Sequence, residues 1–383
     1  MTLLAELARR AISHPHTATF VKRAVAAENG DGERIQVPPW GIAVLFISML
    51  LASVFVSLVS YTINDVVTAL CMVESPIAAI TVSPSTHEAS DKQEEKETLL
   101  ETGPTITLVN KKPITSSIRG TIRHLVANAG RFARFRGFKI YLLYSLLAGI
   151  VSTFFTGALP MFPGQSVIGA ALTGAVLANI HAAWTHKVIG MPTDKTFRQH
   201  IPAWSQWKTL AGPSAIATIM PYISLYLTCG VAMLLRLHKV EQNPTTCWQW
   251  TSLVARCVAV LIFSVVCTLF LCIPAAVTLI RIEASMLPED QDTIVPFDRT
   301  FGGKVVSKMM GGTGVVGFFD AWRSFNWEAR RRLIKLFAKA FFIMTAIFVV
   351  VFHILLFEIL AIMGPVVGKL LSQIQRDALA HSP

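Results

Sequence analysis

The chain has 383 residues, of which 53% are hydrophobic and only 15% are charged, and its formal net charge is +11. Soluble domains carry roughly 25% charged residues, so this composition excludes an ordinary water-soluble protein. The positive charge does not indicate nucleic-acid binding, because basic residues beside apolar stretches are typical of membrane-protein loops on the side that is not translocated.

The chain begins with a polar arm, residues 1–40, which ends in Pro38-Pro39-Trp40. A Trp at this place is typical of the membrane interface. The first predicted membrane span runs from Gly41 to about Ile63, and its helix can continue towards Glu74. Residues 75–110 then combine prolines with an acidic run and predict a disordered insertion, which is also the candidate surface for a protein partner.

Residues 111–139 reverse this character, with eight basic residues and no acid. Apolar side chains recur there at helical spacing, which predicts an amphipathic helix. Two environments are open for its apolar face: the membrane surface, or the protein's own loops. These apolar residues are Ile114, Ile118, Ile122, Leu125, Phe132 and Phe135.

Three more spans follow, over Ile140–Leu159, Ser166–Trp184 and about Gly212–Leu235. The third span carries small residues every four positions, a spacing that lets another helix approach closely in lipid. The fourth span contains Pro221, where we expect a kink. The small residues of the third span are Ala170, Gly174, Ala178 and Ala182.

The fifth span runs from Ser252 to about Ile282 and the sixth from Leu336 to Met363, with a C-terminal tail over 364–383. At about 1.5 Å per residue, each apolar stretch can cross a roughly 30 Å hydrocarbon core. The loops after spans one, three and five are long and basic, and the other two are short. We therefore predict an all-α protein with six transmembrane helices over 41–363, surface amphipathic helices, and the long loops on one face.

Two sequence patterns invite comparison between the long-loop segments. At the end of span five, Pro274, Arg281 and Glu283 fit the pattern P-x-[DE]-x-x-[KR]-x-[RK]-x-[QE], whereas Ala276 and Leu279 replace its acid and base. Span one retains only the acid, Asp65. A second pattern, G-x-x-x-x-[FY]-[RK]-G, is matched by 130–137, which ends in Phe135-Arg136-Gly137. Near the end of span six, Phe357-Glu358 matches the start of [FY]-[DE]-x-x-[RK].

On these residues the chain resembles a divergent member of the mitochondrial carrier family. The resemblance implies three helix–loop–helix repeats, a mitochondrial membrane, and solute transport by alternating access between two faces closed in turn by ion pairs. It makes Asp65, Arg281, Glu283 and Glu358 candidate gate residues, and Pro274 a helix kink. The missing acids and bases leave a second hypothesis open, namely a scaffold that has lost transport.

Polar groups within spans are costly and therefore suggest function. Asn179 and His181 in span three are candidates, although a hydrogen-bonded structural role is an alternative for His181. Gly312-Thr-Gly314-Val-Val-Gly317 spells a dinucleotide fingerprint without its strand–helix context and is rejected. The sequence predicts no cofactor, no metal site, no nucleic-acid partner and no enzyme; its expected partners are the bilayer and a small solute.

Overall fold

The structure is a computed structural model that describes residues 39–75, 78–83, 105–110, 113–193, 197–237, 247–288, 290–306 and 310–380. Most of the predicted arm, the whole acidic run and the last three residues lie outside these ranges. Side chains at 78–83, 105–110, 197–198 and 363–380 are also outside the description.

Within the described ranges, six helical stretches are long and apolar enough to cross a membrane, which confirms the number of predicted spans. We call them spans one to six. They cover Pro39–Val73, Arg131–Ala158, Gln165–Ile189, Trp204–Leu234, Cys247–Ser285 and Trp327–Ile362.

Spans one and five are not uniform α-helices. In span one, α1 (Pro39–Ser60) passes through a π-helical segment, Tyr61–Val67, into α2 (Thr68–Val73). In span five, α8 (Cys247–Cys267) passes through a second π-helical segment, Thr268–Cys272, into α9 (Ile273–Ser285), where Pro274 lies in the first turn. Pro is tolerated there because its missing N–H removes no bond of the new α-helical segment.

The remaining spans contain α4 (Phe138–Ala158), α5 (Gln165–Ile189), α7 (Trp207–Leu234) and α11 (Trp327–Ala380). Helix α7 is continuous through Pro221. Helix α11 continues to Ala380, so most of the segment predicted as a separate tail is helical.

Short helices lie between the spans that the long loops join. These are α3 (Ile118–Ala129), α6 (Phe197–His200) and α10 (Phe318–Arg323). The predicted amphipathic stretch corresponds to α3 followed by a 3₁₀ turn, Arg131–Phe135. Its Leu125 is fully buried in the protein core, whereas Phe132 is 82% exposed. Helix α3 therefore packs on the protein, and Phe132 is left on the outer surface.

The acidic insertion begins and ends in a two-stranded antiparallel ladder, β1 (Ala78–Ser83) with β2 (Thr105–Asn110). Ala78 pairs with Asn110 and Ser83 with Thr105. The prediction of disorder over 75–110 is therefore wrong for these twelve positions. Apart from this ladder and one isolated bridge between Gly190 and Thr293, the described residues are helices, turns and loops.

The chain forms two compact units. In the first, 39–59 and 341–380, large apolar side chains such as Phe46 and Phe352 are more than 60% exposed. Such continuous apolar exposure fits lipid as the surrounding medium. In the second unit, Ser60–Ala340, the core is built around the ends of spans one, three and five, with Val66, Val188 and Val277 fully buried.

Close packing of spans three and four confirms the prediction made from the small residues. Ser214 Oγ donates to the Gly174 carbonyl oxygen over 2.8 Å, and Thr218 Oγ1 to that of Ala170 over 3.0 Å. A Cβ at position 174 would lie 2.8 Å from the Ser214 carbonyl oxygen. Only a residue without a side chain fits at that distance.

Candidate functional site

The second unit contains a cavity of about 240 Å³, which we call the intramembrane cavity because residues of spans one to five line it. Span one contributes one face, with Asn64, Asp65 and Thr68 next to each other on its π-helical segment and the start of α2. π-helical turns are rare, and they occur disproportionately at functional sites. The other lining residues are Ala69, Met72, Tyr144, His181, Trp184, Ala217, Thr218, Ala276, Leu279 and Ile280.

Span three supplies the histidine of the cavity, and span five supplies its partner. His181 Nδ1 lies 2.7 Å from Glu283 Oε1, so the imidazole donates to the carboxylate. The other carboxylate oxygen of Glu283 accepts from Thr185 Oγ1 over 2.5 Å, and the Glu283 carbonyl oxygen accepts from His186 Nε2 over 2.8 Å. Since Glu283 is fully buried, these donors replace the water it would otherwise need.

Arg281 makes the contacts on the opposite side of α9. Its Nη1 donates to the Met72 carbonyl oxygen over 3.1 Å, its Nε to that of Ala321 over 3.1 Å, and its Nη2 to Ser324 Oγ over 3.0 Å. The guanidinium also lies 4.9 Å from the ring centre of Phe301. Arg281 and Glu283, two residues apart, thereby connect span five to span one, to span three and to the segment before span six.

A third set of contacts surrounds Glu74, which directly follows span one and is buried. Its carboxylate accepts from the Ile114 N–H over 2.6 Å and from the Thr115 N–H over 3.1 Å. Arg332 Nη1 at the start of span six lies 3.4 Å from the same carboxylate. The sequence patterns did not identify Glu74 as a site residue, and its position just after an apolar span was the only available signal.

We call the contacts of Glu74, Arg281 and Glu283 the long-loop closure, because all three residues lie where a span meets a long loop. Most lining residues of the intramembrane cavity precede these closing residues in their helices. Asp65, for example, is seven residues before Met72, which corresponds to about 10 Å along a helix. The long-loop closure therefore lies at the end of the cavity that is nearer the long loops, and Met72 and His181 belong to both.

The Phe135-Arg136-Gly137 pattern has a clear structural role at the same end of the molecule. Arg136 Nη2 donates to the Gly190 carbonyl oxygen over 2.6 Å and its Nε to that of Lys187 over 2.5 Å, which satisfies carbonyls at the end of α5. Gly137 has φ = +73°, and a Cβ there would lie 3.2 Å from atoms of Trp184 and Val188. Both the backbone conformation and the close packing favour glycine.

The structure thus brings together Asp65, His181, Arg281 and Glu283 of the predicted site, but Asp65 lines the cavity and is not part of the long-loop closure. Asn179 is buried, and its Oδ1 accepts no hydrogen bond within the described chain. Glu358 belongs to the other unit, where its Oε1 accepts from Ser48 Oγ over 2.7 Å.

A second cavity, of about 490 Å³, lies near the start of span six. We call it the basic cleft, because Arg331, Arg332, Lys335 and Lys339 line it together with the start of α3. Arg332 is engaged with Glu74, whereas the described chain offers no ion pair to Arg331, Lys335 or Lys339. No group of three or more potential metal ligands occurs among the described residues.

Comparisons of the chain with protein-family models, with curated proteins and with solved structures find no match.

Proposed function

We propose that this protein is a membrane solute carrier that works by alternating access, with the intramembrane cavity as its solute site and the long-loop closure as one of its two gates. The observation that carries the proposal is a cavity among five spans that has polar residues in its lining and buried contacts between helices at its long-loop end. A binding site with a removable cover is the minimum that alternating access requires.

The contacts of the long-loop closure suit a gate because they cross between helices. Arg281 and Glu283 bind backbone and side-chain groups of other spans, so separation of the spans would break all of these contacts together. Each such contact in a low-dielectric interior is worth about 1 kcal/mol net, and bound solute or solvent can replace it. Closed and open states can therefore differ by only a few kcal/mol.

Two features support the more specific proposal of a carrier of the mitochondrial type in a mitochondrial membrane. The first is the order of the elements, in which a short helix lies between spans one and two, three and four, and five and six. The second is the set of pairwise contacts among the ends of spans one, three and five. Both fit three related helix–loop–helix units, and localisation of the tagged protein by fractionation tests the compartment.

The decisive experiment is exchange of radiolabelled solutes by the purified protein in liposomes. We expect saturable exchange for at least one member of a panel of inorganic ions, carboxylates, amines and nucleotides, and its loss in Arg281→Ala. The matched control is Arg323→Ala, which removes an exposed guanidinium from the neighbouring α10. Equal exchange by both variants would contradict the assignment of Arg281 to a gate, and no exchange across the panel by the folded wild type would contradict transport.

The basic cleft favours a second candidate, a non-transporting membrane scaffold. Three exposed cations without an ion pair in the described chain suit an acidic segment of a partner protein. If the protein is a scaffold, a defined partner protein should co-purify with the wild type and no longer co-purify when Arg331, Lys335 and Lys339 are all replaced by Gln. The wild type should also show no solute exchange. Exchange by the wild type would exclude it.

A further inference from the structure

The charge lining the intramembrane cavity is acidic. Asp65 contributes a carboxylate, and none of the lining residues that the structure describes is Lys or Arg. His181 is the one lining side chain that can carry a positive charge. Whether His181 can neutralise Asp65 therefore decides the electrostatic character of the cavity.

His181 is already engaged by another acid. Its Nδ1 is hydrogen-bonded to Glu283 over 2.7 Å, and the fully buried Glu283 has no partner that can be cationic other than His181 among the described residues. Asp65 is close enough to interact electrostatically with the same imidazole, but its carboxylate forms no hydrogen bond or ion pair with the described chain. One imidazole thus faces two carboxylates, and Asp65 lacks a direct partner.

An unpaired carboxylate within a membrane span is costly, and the cost falls when a cation or a proton joins it. The rest of the cavity suits an organic cation. Trp184 and Tyr144 present aromatic rings, which attract ammonium groups, and both lie beside His181, with ring centres 5.3 Å from the imidazole. Asn64, Thr68 and Thr218 are further polar residues of the lining.

The size of the cavity limits the cation. A volume of about 240 Å³ equals that of about eight water molecules in the liquid. This space admits a small amine.

We propose that the intramembrane cavity binds a small organic cation, a primary or quaternary alkylammonium, whose positive charge lies against the Asp65 carboxylate. The inference rests on the proposed transport function for its biological meaning, because it names the class of solute carried. Binding itself follows from the cavity and can be tested without transport.

The binding test uses the purified full-length protein in detergent, titrated with n-propylammonium chloride or tetramethylammonium chloride. Sodium acetate and sodium phosphate at equal ionic strength are the anionic comparisons. Bound ligand raises the melting temperature in a saturable way. We expect saturable stabilisation by at least one ammonium ion and none by the anions.

Three variants make the test specific. Asp65→Asn should weaken ammonium binding at least tenfold, and Asp65→Glu, which keeps the charge, should retain most of it. Asp292→Asn removes an exposed carboxylate outside the cavity and should bind as the wild type does. Unchanged binding by Asp65→Asn, preferential stabilisation by anions, or no saturable effect of either ammonium ion would overturn the proposal.

Flux in liposomes with the same probes separates this inference from the proposed function. Asp65-dependent binding without exchange of any solute would support the cation site and contradict the proposed transport. Exchange of anions without ammonium binding would support the proposed transport and contradict the cation site.

Discussion

Arg281 Nη1 donates a hydrogen bond to the backbone carbonyl oxygen of Met72 over 3.1 Å, although 209 positions separate the two residues. The guanidinium therefore binds the last turn of span one directly, without a carboxylate as intermediary. An arginine is suited to this role because its fork of donors can serve several acceptors at once, here Met72, Ala321 and Ser324.

The Glu283–His181 contact should couple spans five and three energetically. Glu283→Ala leaves His181 and Thr185 without their acceptor, and we expect a loss of about 2 kcal/mol in the free energy of unfolding in detergent, since an unsatisfied buried group costs about 1–3 kcal/mol. His181→Ala and the variant with both substitutions complete a double-mutant cycle, from which we expect an interaction free energy of about 1 kcal/mol between the two side chains. Additive effects would show that the two side chains do not interact. Glu328→Ala, at an exposed position, is the control and should change little.

Gly137→Ala should destabilise the protein by about 2 kcal/mol. The positive φ alone costs an L-residue about 1–2 kcal/mol, and the added Cβ would crowd Trp184 and Val188. Gly149→Ala is the matched control, since a Cβ in that helical position meets nothing within 4 Å. The control should be neutral or slightly stabilising, and thermal unfolding of both variants checks the difference. Equal melting temperatures would contradict the packing at Gly137.

Gly174→Leu should separate spans three and four, because the new side chain would enter the space occupied by Ser214 and Thr218. We expect poor folding, seen as aggregation in size-exclusion chromatography. Gly157→Leu, at a position with open space around it, should elute as the wild type does. Normal elution of Gly174→Leu would mean that the two helices do not pack through this face.

Asp298, in the loop before span six, gives a pH dependence with a defined sign. Burial alone would raise the pKa of its carboxyl group. Hydrogen bonds from the Thr300 hydroxyl and from the N–H groups of Thr300 and Gly302 have the opposite and larger effect, so the pKa of Asp298 is below its usual value. A depressed pKa stabilises the fold above the unfolded-state pKa of about 3.9 and loses this effect as pH falls through the lower, folded value.

The difference in melting temperature between wild type and Asp298→Asn should accordingly be constant above about pH 5 and shrink below pH 4. Thr300→Val removes one of the donors to Asp298. When Thr300→Val is present in both proteins, the effect of Asp298→Asn on the melting temperature above about pH 5 should therefore be smaller. A difference that grows on acidification would have the wrong sign for this arrangement.

The long loops should all lie on one side of the membrane. Gly190 bridges to Thr293, and His124 Nε2 lies 3.0 Å from the Ile294 carbonyl oxygen, so segments following spans one, three and five contact each other. In a background without the six native cysteines, single Cys residues at the exposed positions 119, 199 and 292 should react with an impermeant thiol reagent from the same side. Labelling of one of them from the opposite side would break this topology.

The sequence predicted the parts of the fold that depend on local composition. Span number follows from the lengths of the apolar stretches, and the close approach at Gly174 follows from a four-residue spacing on one helix face. His181 forms a hydrogen bond between helices, to Glu283, as considered from the sequence. The span number and the face of small residues are each determined within a single helix, so no knowledge of the other helices was needed to predict them.

The partners of the site residues could not be predicted in the same way. Glu74 binds residues about 40 and 258 positions away, and the Arg281 acceptors are mostly backbone carbonyls, which every residue has. The resemblance to ion-pair gates suggested a carboxylate for Arg281 and placed Asp65 with it, whereas the structure separates the two. The relative rotation of the spans decides such pairings, and the π-helical segments that alter this rotation have no clear sequence signal.

The π-helical segment at Tyr61–Val67 is in effect a one-residue surplus in the winding of span one. Since each residue of an α-helix turns the chain by about 100°, removal of a single residue there would rotate the side chains on one flank of the deletion relative to those on the other. Thr68 and Met72 could not then share a wall with Asp65. The inner surface of span one thus depends on an irregularity of its backbone as much as on the identity of its side chains.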